Sequence, residues 1–277
     1  MPTAAVRLAV LAIVLLIVQG LPVRLVGAEL QSRTIAAFDR YVRATEAQAS
    51  QGPFLWVDDL QGAERGAKLD AARQGGLVIE RLTSLDNGKT IDVPGGMIHH
   101  WMGMVFVPKA TVTQAVAILQ DYDNHQEIYK PAVARSRILT REEDVFRVYL
   151  RFYMKKVITV VVNSEHEARF SRPGAGRAQS RIYSLRIAEV DSPDTPRERE
   201  KPIGRDGGYL WRLNSYWRLL QRDGGVYVQC ESITLTRGIP LGLGWIVGPF
   251  VTSIPRETLS FTLETTRKAL LAEGRRE

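Results

Sequence analysis

Residues that could bind a metal or act as nucleophiles are scarce in this chain, which has four histidines and one cysteine among 277 residues. His99 and His100 are adjacent, so in a strand their side chains point to opposite faces and cannot chelate one ion together. His125 and His166 lie in other predicted elements, and Cys230 would need a partner base to act as a nucleophile. The sequence therefore predicts no metal site, no cofactor and no catalytic residue.

Buried arginines are a second source of chemistry, because a guanidinium can bind a carboxylate or a phosphate. Arg151 and Arg212 lie in predicted strands, but side-chain alternation puts both on a polar face, which predicts that they are solvated. The formal net charge is +7, and 24% of the residues are charged, without a block of lysines and arginines. This charge pattern does not favour a nucleic-acid partner.

Residues 1–28 have the pattern of a secretory signal. Arg7 precedes an apolar run over residues 8–18, which at ~1.5 Å per residue spans about half of a ~30 Å hydrocarbon core. Small residues at 26–28 predict cleavage after Ala28 and export to the periplasm or the medium. An uncleaved membrane anchor is the alternative, but Arg24 disfavours it because a charge inside the membrane costs ~2.5–3.5 kcal/mol.

The rest of the chain divides into an N-terminal helical extension, residues 29–76, and a domain over residues 77–277. The composition of the full chain, 45% hydrophobic, excludes fibrous and wholly disordered classes. Its single cysteine excludes an intrachain disulfide. Hydrophobic spacing and turn residues predict helices and strands in alternating groups. The predicted helices cover residues 30–49, 57–73, a segment from 112 to 119, 123–129 and 253–272. The predicted strands cover residues 77–85, 97–107, 133–139, 145–154, 157–170, 178–190, 209–220 and 226–236.

Sequential strands joined by short turns predict an antiparallel meander, and the last helix is the natural cover for one of its faces. The exception among the turns is residues 191–208, rich in proline and charge, which predict a long mobile loop. The Asp223-Gly224 turn fixes the register of the last hairpin, so that Trp217 lies opposite Cys230 and Ser215 opposite Ser232. One face is then apolar with small hydroxyls. The other is predicted to face solvent and carries Arg212, Asn214, Tyr216, Arg218, Gln229 and Glu231.

The order of these elements resembles the START-like superfamily, the helix-grip fold of lipid-transfer domains and polyketide cyclases. Residues 116–133 are similar to that family's first helix, short second helix and the start of the next strand. Residues 231–259 are similar to the last strand, lid loop and long helix of coenzyme-Q-binding and cyclase-type members. The resemblance covers about residues 77–272. It implies an α+β fold, in which a curved antiparallel sheet wraps around a long C-terminal helix and encloses an apolar cavity.

The ligand expected from this resemblance is a hydrophobic small molecule, such as a lipid, an isoprenoid or a polyketide-like compound. A carrier is the first interpretation, a cyclase, aromatase or hydrolase in the same cavity is the second, and a cavity filled by its own side chains is the third. The expected lining is mostly apolar, with a few small polar residues. It consists of Met102, Met104, Phe106, Phe146, Leu150, Phe152, Trp211, Leu213, Ser215, Trp217, Cys230, Leu259 and Leu263.

Residues 238–250 combine four glycines and two prolines with many large apolar side chains. The glycines and prolines predict that this segment is not a regular helix. An apolar segment of this kind either packs over the cavity or meets a membrane. The second interpretation predicts a lid with transient membrane contact through Leu241, Leu243, Trp245, Ile246 and Phe250.

Overall fold

A computed structural model describes residues 28–155, 159–239 and 244–274, without the side chains of residues 28 and 244–252. The predicted signal, apart from its last residue, lies outside the described residues. The helices are α1 (Ser32–Gln51), α2 (Gly62–Arg73), α3 (Val112–Gln120), α4 (His125–Ile128) and α5 (Gly244–Glu273), with short 3₁₀ turns at Trp56–Asp59 and Tyr122–Asn124. The strands are β1 (Ala28–Glu29), β2 (Val78–Arg81), β3 (Leu85–Asp86), β4 (Lys89–Thr90), β5 (Gly96–Pro108), β6 (Val133–Glu142), β7 (Val145–Lys155), β8 (Thr159–Gly174), β9 (Arg177–Asp191), β10 (Arg199–Glu200), β11 (Arg205–Asp206), β12 (Arg212–Arg222) and β13 (Gly225–Arg237).

One antiparallel sheet carries the fold, in the order β2-β5-β13-β12-β9-β8-β7-β6, with β10 on the end of β9. The hairpin β12–β13 has the predicted register, with Trp217 opposite Cys230 and Ser215 opposite Ser232. Together with the long C-terminal helix, this sheet confirms the predicted α+β helix-grip fold.

The helix α5 lies against β5 and β13 on what we name the inner face of the sheet. The close approach depends on Gly103, where an added Cβ would lie 2.4 Å from Cδ1 of Leu263 and 3.4 Å from Cδ2 of Leu259. Because Gly103 points at the helix, odd-numbered residues of β5 face inward and even-numbered residues face outward. Through the pairing registers, the parity of β5 assigns the side chains of each paired strand to the inner or the opposite face.

The opposite side, named the outer face, is covered by the N-terminal extension rather than by solvent. Leu55 and Leu69 pack on Tyr227, while Phe38 packs with Ile233. The prediction of a solvent-facing side is therefore wrong. Its polar residues instead find buried partners in the extension: the Trp56 main-chain N–H donates to Gln229 Oε1 at 2.8 Å, and Arg218 donates to the carbonyls of residues 53 and 54.

The segment 191–208 is tied to the sheet by ion pairs and by the pairing of β10 with β9, which differs from the predicted mobile loop. Arg151 is only 1% exposed, which also contradicts its predicted solvation, and it donates to both carboxylate oxygens of Glu198 at 2.8 Å. These hydrogen bonds hold the pKa of Glu198 down at about 2. Lys201 also pairs with Glu189. Charged residues of this segment, which led to the prediction of a mobile loop, instead form ion pairs with the sheet and within the segment.

The last helix begins earlier than predicted. Its backbone is helical from Gly244 and not only from residue 253, so over residues 244–250 the prediction of a segment that is not a regular helix is wrong. Helix propensity is a weak guide where tertiary packing decides. Leu241 and Leu243 lie outside the described residues, as do the side chains of Trp245, Ile246 and Phe250, so the lid stays a prediction. Over the described part of the chain, no helix is both long and apolar enough to cross a bilayer.

Candidate functional site

Several side chains on the inner face are only partly buried although they lie on interior strands. They include Leu150 on β7, Ile182 on β9, Leu213 and Ser215 on β12, and Ser232 on β13. Each of these strands is paired on both sides, so the exposed surface of an inward side chain must border a space on the helix side of the sheet. We name this space the inner hollow and define it by these five residues.

The other end of the inner face is filled. Helix α3 lies across β9, β12 and β13 there, and Val107, Phe170 and Leu219 are buried in one cluster with Leu263. Tyr122 is fully packed among them, and burial raises the pKa of its hydroxyl. The inner hollow is thus confined to the half of the face away from α3.

Most of the predicted lining residues do lie together. Phe146, Trp217, Cys230, Leu259 and Leu263 are buried in the same cluster as Val107, Phe170 and Leu219, with the partly buried Leu150 packed against it. Phe152 and Leu213 pack in an adjoining cluster, and Ser215 lies on the inner face by its pairing with Ser232.

Four predicted residues lie elsewhere. Met102, Met104 and Phe106 point outward because they have the opposite parity to Gly103, and Met104 and Phe106 pack beneath the extension. Trp211 precedes β12, where strand alternation no longer holds. It packs in the cluster that contains α1 residues, and its Nε1 donates to Asp206 Oδ1 at 3.0 Å.

The inner face also carries buried polar atoms without a hydrogen-bond partner among the described residues. They are Trp101 Nε1, His166 Nδ1, Ser180 Oγ and Thr234 Oγ1. Leaving such an atom unpaired costs about 1–3 kcal/mol, so each is a position where a water or a ligand oxygen would be stabilised. The sequence analysis missed Trp101 because it chose the wrong parity for β5. The register of β13 against β5, in which Trp101 faces Ser232, is the signal that identifies it.

The hydrogen bonds of His166, on the inner face, define its tautomer. Its Nε2 lies 2.9 Å from Ser164 Oγ, and that hydroxyl donates to the Leu150 carbonyl at 3.0 Å. The imidazole therefore donates from Nε2, and Nδ1 is a bare acceptor. Burial lowers the pKa of His166 to about 4, so the ring is neutral near pH 7.

This arrangement does not make a nucleophile. The Ser164 hydroxyl hydrogen is directed at a carbonyl and not at the imidazole, and no carboxylate contacts His166 within the described residues. A hydroxyl nucleophile needs a base that takes its proton and a group that orients that base. Cys230 is equally unsuited, because burial raises the pKa of its thiol. In residues 28–155, 159–239 and 244–274, no three His, Cys, Asp or Glu side chains are grouped to hold a metal ion.

No protein-family model matches the chain, and no curated protein has a significantly similar sequence. Solved structures with a similar fold include a protein from Thermus thermophilus (15% identity, 62% of this chain and 97% of that one, TM-score 0.46). A STAR-related lipid transfer protein from Xanthomonas axonopodis is similar at 19% identity, over 65% of this chain and 95% of that one, with a TM-score of 0.43. The Zhui aromatase/cyclase from Streptomyces sp. R1128 is similar at 16% identity, over 65% and 95%, with a TM-score of 0.40. These similarities concern the fold alone.

Proposed function

We propose that this protein is an exported carrier that binds a hydrophobic molecule in the inner hollow, between the sheet and α5. The supporting observation is the partial exposure of Leu150, Ile182 and Leu213 on interior strands, beside the two serines of the inner hollow. Sites for small apolar ligands have this composition, with a small number of polar atoms that fix orientation. A lipid, an isoprenoid or a polyketide-like compound has the required chemistry.

Desolvation supplies the affinity. Burying ~300 Å² of apolar ligand surface at ~25 cal/mol/Å² gives ~7 kcal/mol before the ordering costs of binding are subtracted. The unpartnered atoms of Trp101, Ser180 and Thr234 would orient the ligand. A ligand oxygen or hydroxyl placed beside one of them would form the hydrogen bond that the atom lacks.

The experiment is native mass spectrometry of the purified protein, followed by lipid extraction. We expect a co-purifying apolar molecule in the wild type. Ser215→Trp fills the hollow and should lose that molecule, whereas Ser171→Trp, the same substitution at an exposed site on β8, should keep it. Thermal unfolding checks that both variants are folded. If Ser215→Trp does not fold, the smaller substitution Ser215→Leu replaces it. A folded, filled variant that retains the ligand would overturn the proposal.

An enzyme of the cyclase, aromatase or hydrolase kind is the second candidate, and the bare Nδ1 of His166 is the observation that favours it. A neutral imidazole beside a bound ligand could accept a proton. The test is to incubate the extracted molecule with ligand-free protein and to analyse it by mass spectrometry. An unchanged molecule supports the carrier. If the wild type converts the molecule and the His166→Phe variant does not, the result supports the enzyme.

Membrane contact through the apolar segment 241–250 is part of the same proposal, because a carrier of an apolar molecule must collect it from a lipid phase. Leu243→Ser combined with Trp245→Ser should abolish association with phosphatidylcholine vesicles. Leu85→Ser is the control, since Leu85 is exposed and far along the chain. Vesicle association that survives the double substitution would end the lid proposal.

Export is proposed from the sequence of residues 1–28. N-terminal sequencing of the protein recovered from the producing cells should give Glu29 as the first residue. A membrane-bound protein that still carries the apolar run would support the uncleaved anchor instead.

A further inference from the structure

A second pocket opens on the outer face, where the C-terminal end of α1 meets β9 and β12. Its volume is about 340 Å³, at the lower end of the ~300–1,000 Å³ that ligand sites occupy. The wall from α1 and the following turn includes Glu46, Ser50 and Phe54. The wall from the sheet includes three arginines, Arg177, Arg181 and Arg218, with Gln179, Tyr216 and Glu231.

None of these three arginines forms an ion pair within the described residues. Arg177 is exposed and stacks over the ring of Phe54 at 5.4 Å. Arg181 is also exposed, and its guanidinium interacts with the hydroxyl of Tyr183. Arg218 is half-buried and donates only to main-chain carbonyls at the end of α1, at 2.9–3.4 Å.

The arginines also repel one another. Burial is the main cause that lowers the pKa of Arg218; the charge of Glu231 raises this pKa, and the charge of Arg181 lowers it by a smaller amount. The guanidinium groups of Arg181 and Arg218 therefore face one pocket, and neither contacts a counter-ion among the described residues. Placing an anion between such groups replaces repulsion with charge-assisted hydrogen bonds.

The two carboxylates of the pocket are occupied by other donors. Glu46 accepts hydrogen bonds from the hydroxyls of Tyr183 and Tyr216, at 2.5 and 2.9 Å. Glu231 is 5% exposed and accepts from His100 Nε2 at 2.7 Å. Neither carboxylate lies within ion-pair distance of an arginine of the pocket, so the three arginines have no ion-pair partner among the described residues.

We infer that this pocket binds a small anion, a carboxylate or a phosphate, between Arg177 and Arg181, with Arg218 at its inner end. The site is separate from the inner hollow, because it lies on the other face of the sheet. Phe54 and Gln179 would pack against and hydrogen-bond the part of the ligand that carries the anion. The inference is independent of the carrier proposal.

The test is isothermal titration calorimetry with inorganic phosphate and, separately, with acetate at low ionic strength. Arg177→Ser/Arg181→Ser removes two exposed cations, and Arg169→Ser/Arg172→Ser removes two exposed cations outside the pocket as the matched control. We expect saturable binding of at least one anion by the wild type and the control, weakened at least ten-fold in the pocket variant. Three outcomes would overturn the inference. The first is equal affinity in all three proteins, and the second is equal weakening in both variants. The third is the absence of saturable binding to either anion and to the vesicles described below.

A vesicle arm distinguishes a free anion from a lipid headgroup with the same phosphate chemistry. Phosphatidylcholine vesicles with and without phosphatidic acid are sedimented with the wild type and with the Arg177→Ser/Arg181→Ser variant. Retention that requires both phosphatidic acid and the two arginines assigns the anion to a headgroup. Calorimetric binding of phosphate without such retention assigns it to a soluble ligand.

Discussion

A hydrogen-bonded chain of three buried side chains joins α1 to the sheet. The Ser84 main-chain N–H donates to the Tyr41 hydroxyl oxygen at 2.8 Å. The Tyr41 hydroxyl is hydrogen-bonded to His100 Nδ1 at 3.0 Å, and His100 Nε2 donates to Glu231 at 2.7 Å. Burial raises the pKa of Tyr41, which keeps its hydroxyl protonated.

Tyr41→Phe should lower the free energy of unfolding by about 1–3 kcal/mol, since it leaves His100 Nδ1 and the Ser84 N–H buried and unpaired. Urea unfolding followed by circular dichroism measures the change. Tyr153→Phe is the control, because the hydroxyl of Tyr153 bonds to Asp194 in an exposed setting, and its effect should stay within about 0.5 kcal/mol. If the two variants unfold at the same urea concentration, the buried chain adds no stability.

Individual residues could be predicted where local chemistry fixes them. The two-residue turn at Asp223-Gly224 determines register, so the pairing of Trp217 with Cys230 followed from the sequence alone. Arg151 and Glu231 could not be predicted in the same way. Their polarity is the same whether water or a distant segment covers them, and the partners that bury them come from residues far along the chain.

At the scale of elements, the contact between β5 and α5 depends on a missing side chain. Gly103→Ala should destabilise the protein by about 1–3 kcal/mol, because its Cβ would lie 2.4 Å from a methyl group of Leu263, a side chain with no exposed surface. In Gly103→Ala/Leu263→Ala the new methyl group occupies part of the space vacated by the leucine, so the double substitution should cost less than the sum of the single ones.

Gly66→Ala is the control for this series. Gly66 lies inside α2, and an added Cβ there has no neighbour within 4 Å. Alanine favours helix over glycine by about 1 kcal/mol, so this variant should be neutral or more stable than the wild type. Chemical denaturation of the wild type, the two single variants, the double variant and Gly66→Ala gives the comparison. Additive costs for Gly103 and Leu263 would contradict a direct contact between β5 and α5.

Helices and strands as elements were largely predictable, since periodicity and turn residues are local signals. The docking of α1 and α2 was not. Their apolar residues show that each helix has a face to bury, but not which surface receives it. The outer face of the sheet offered no apolar pattern of its own near Gln229 and Arg218, and these two residues bind the backbone of the extension. A sheet face that looks solvated in sequence can therefore be an internal surface.

The whole molecule is consequently a sheet covered on both sides, by α5 inside and by the extension outside. This places two different candidate sites on opposite faces. The inner hollow is bordered by three aliphatic side chains and two serines, and the outer pocket is lined by arginines that form no ion pair among the described residues. The predicted fold implied the first, because a helix grips one face of the sheet. It could not imply the second, since that pocket exists only where the extension meets β9 and β12.

Covering both faces also buries histidines that must remain neutral, and this makes the stability of the whole molecule depend on pH. Burial lowers the pKa of His99, His125 and His166 to about 4 each, from 6.5 in the unfolded chain. As the pH falls below 6.5, protons bind the unfolded chain before the folded one, so the free energy of unfolding decreases down to about pH 4. Between pH 7.5 and 5.5 each histidine should cost about 1 kcal/mol. Urea unfolding at the two pH values tests this, and His166→Phe should remove about a third of the difference. A stability that does not change over this range would contradict the buried, neutral state of all three.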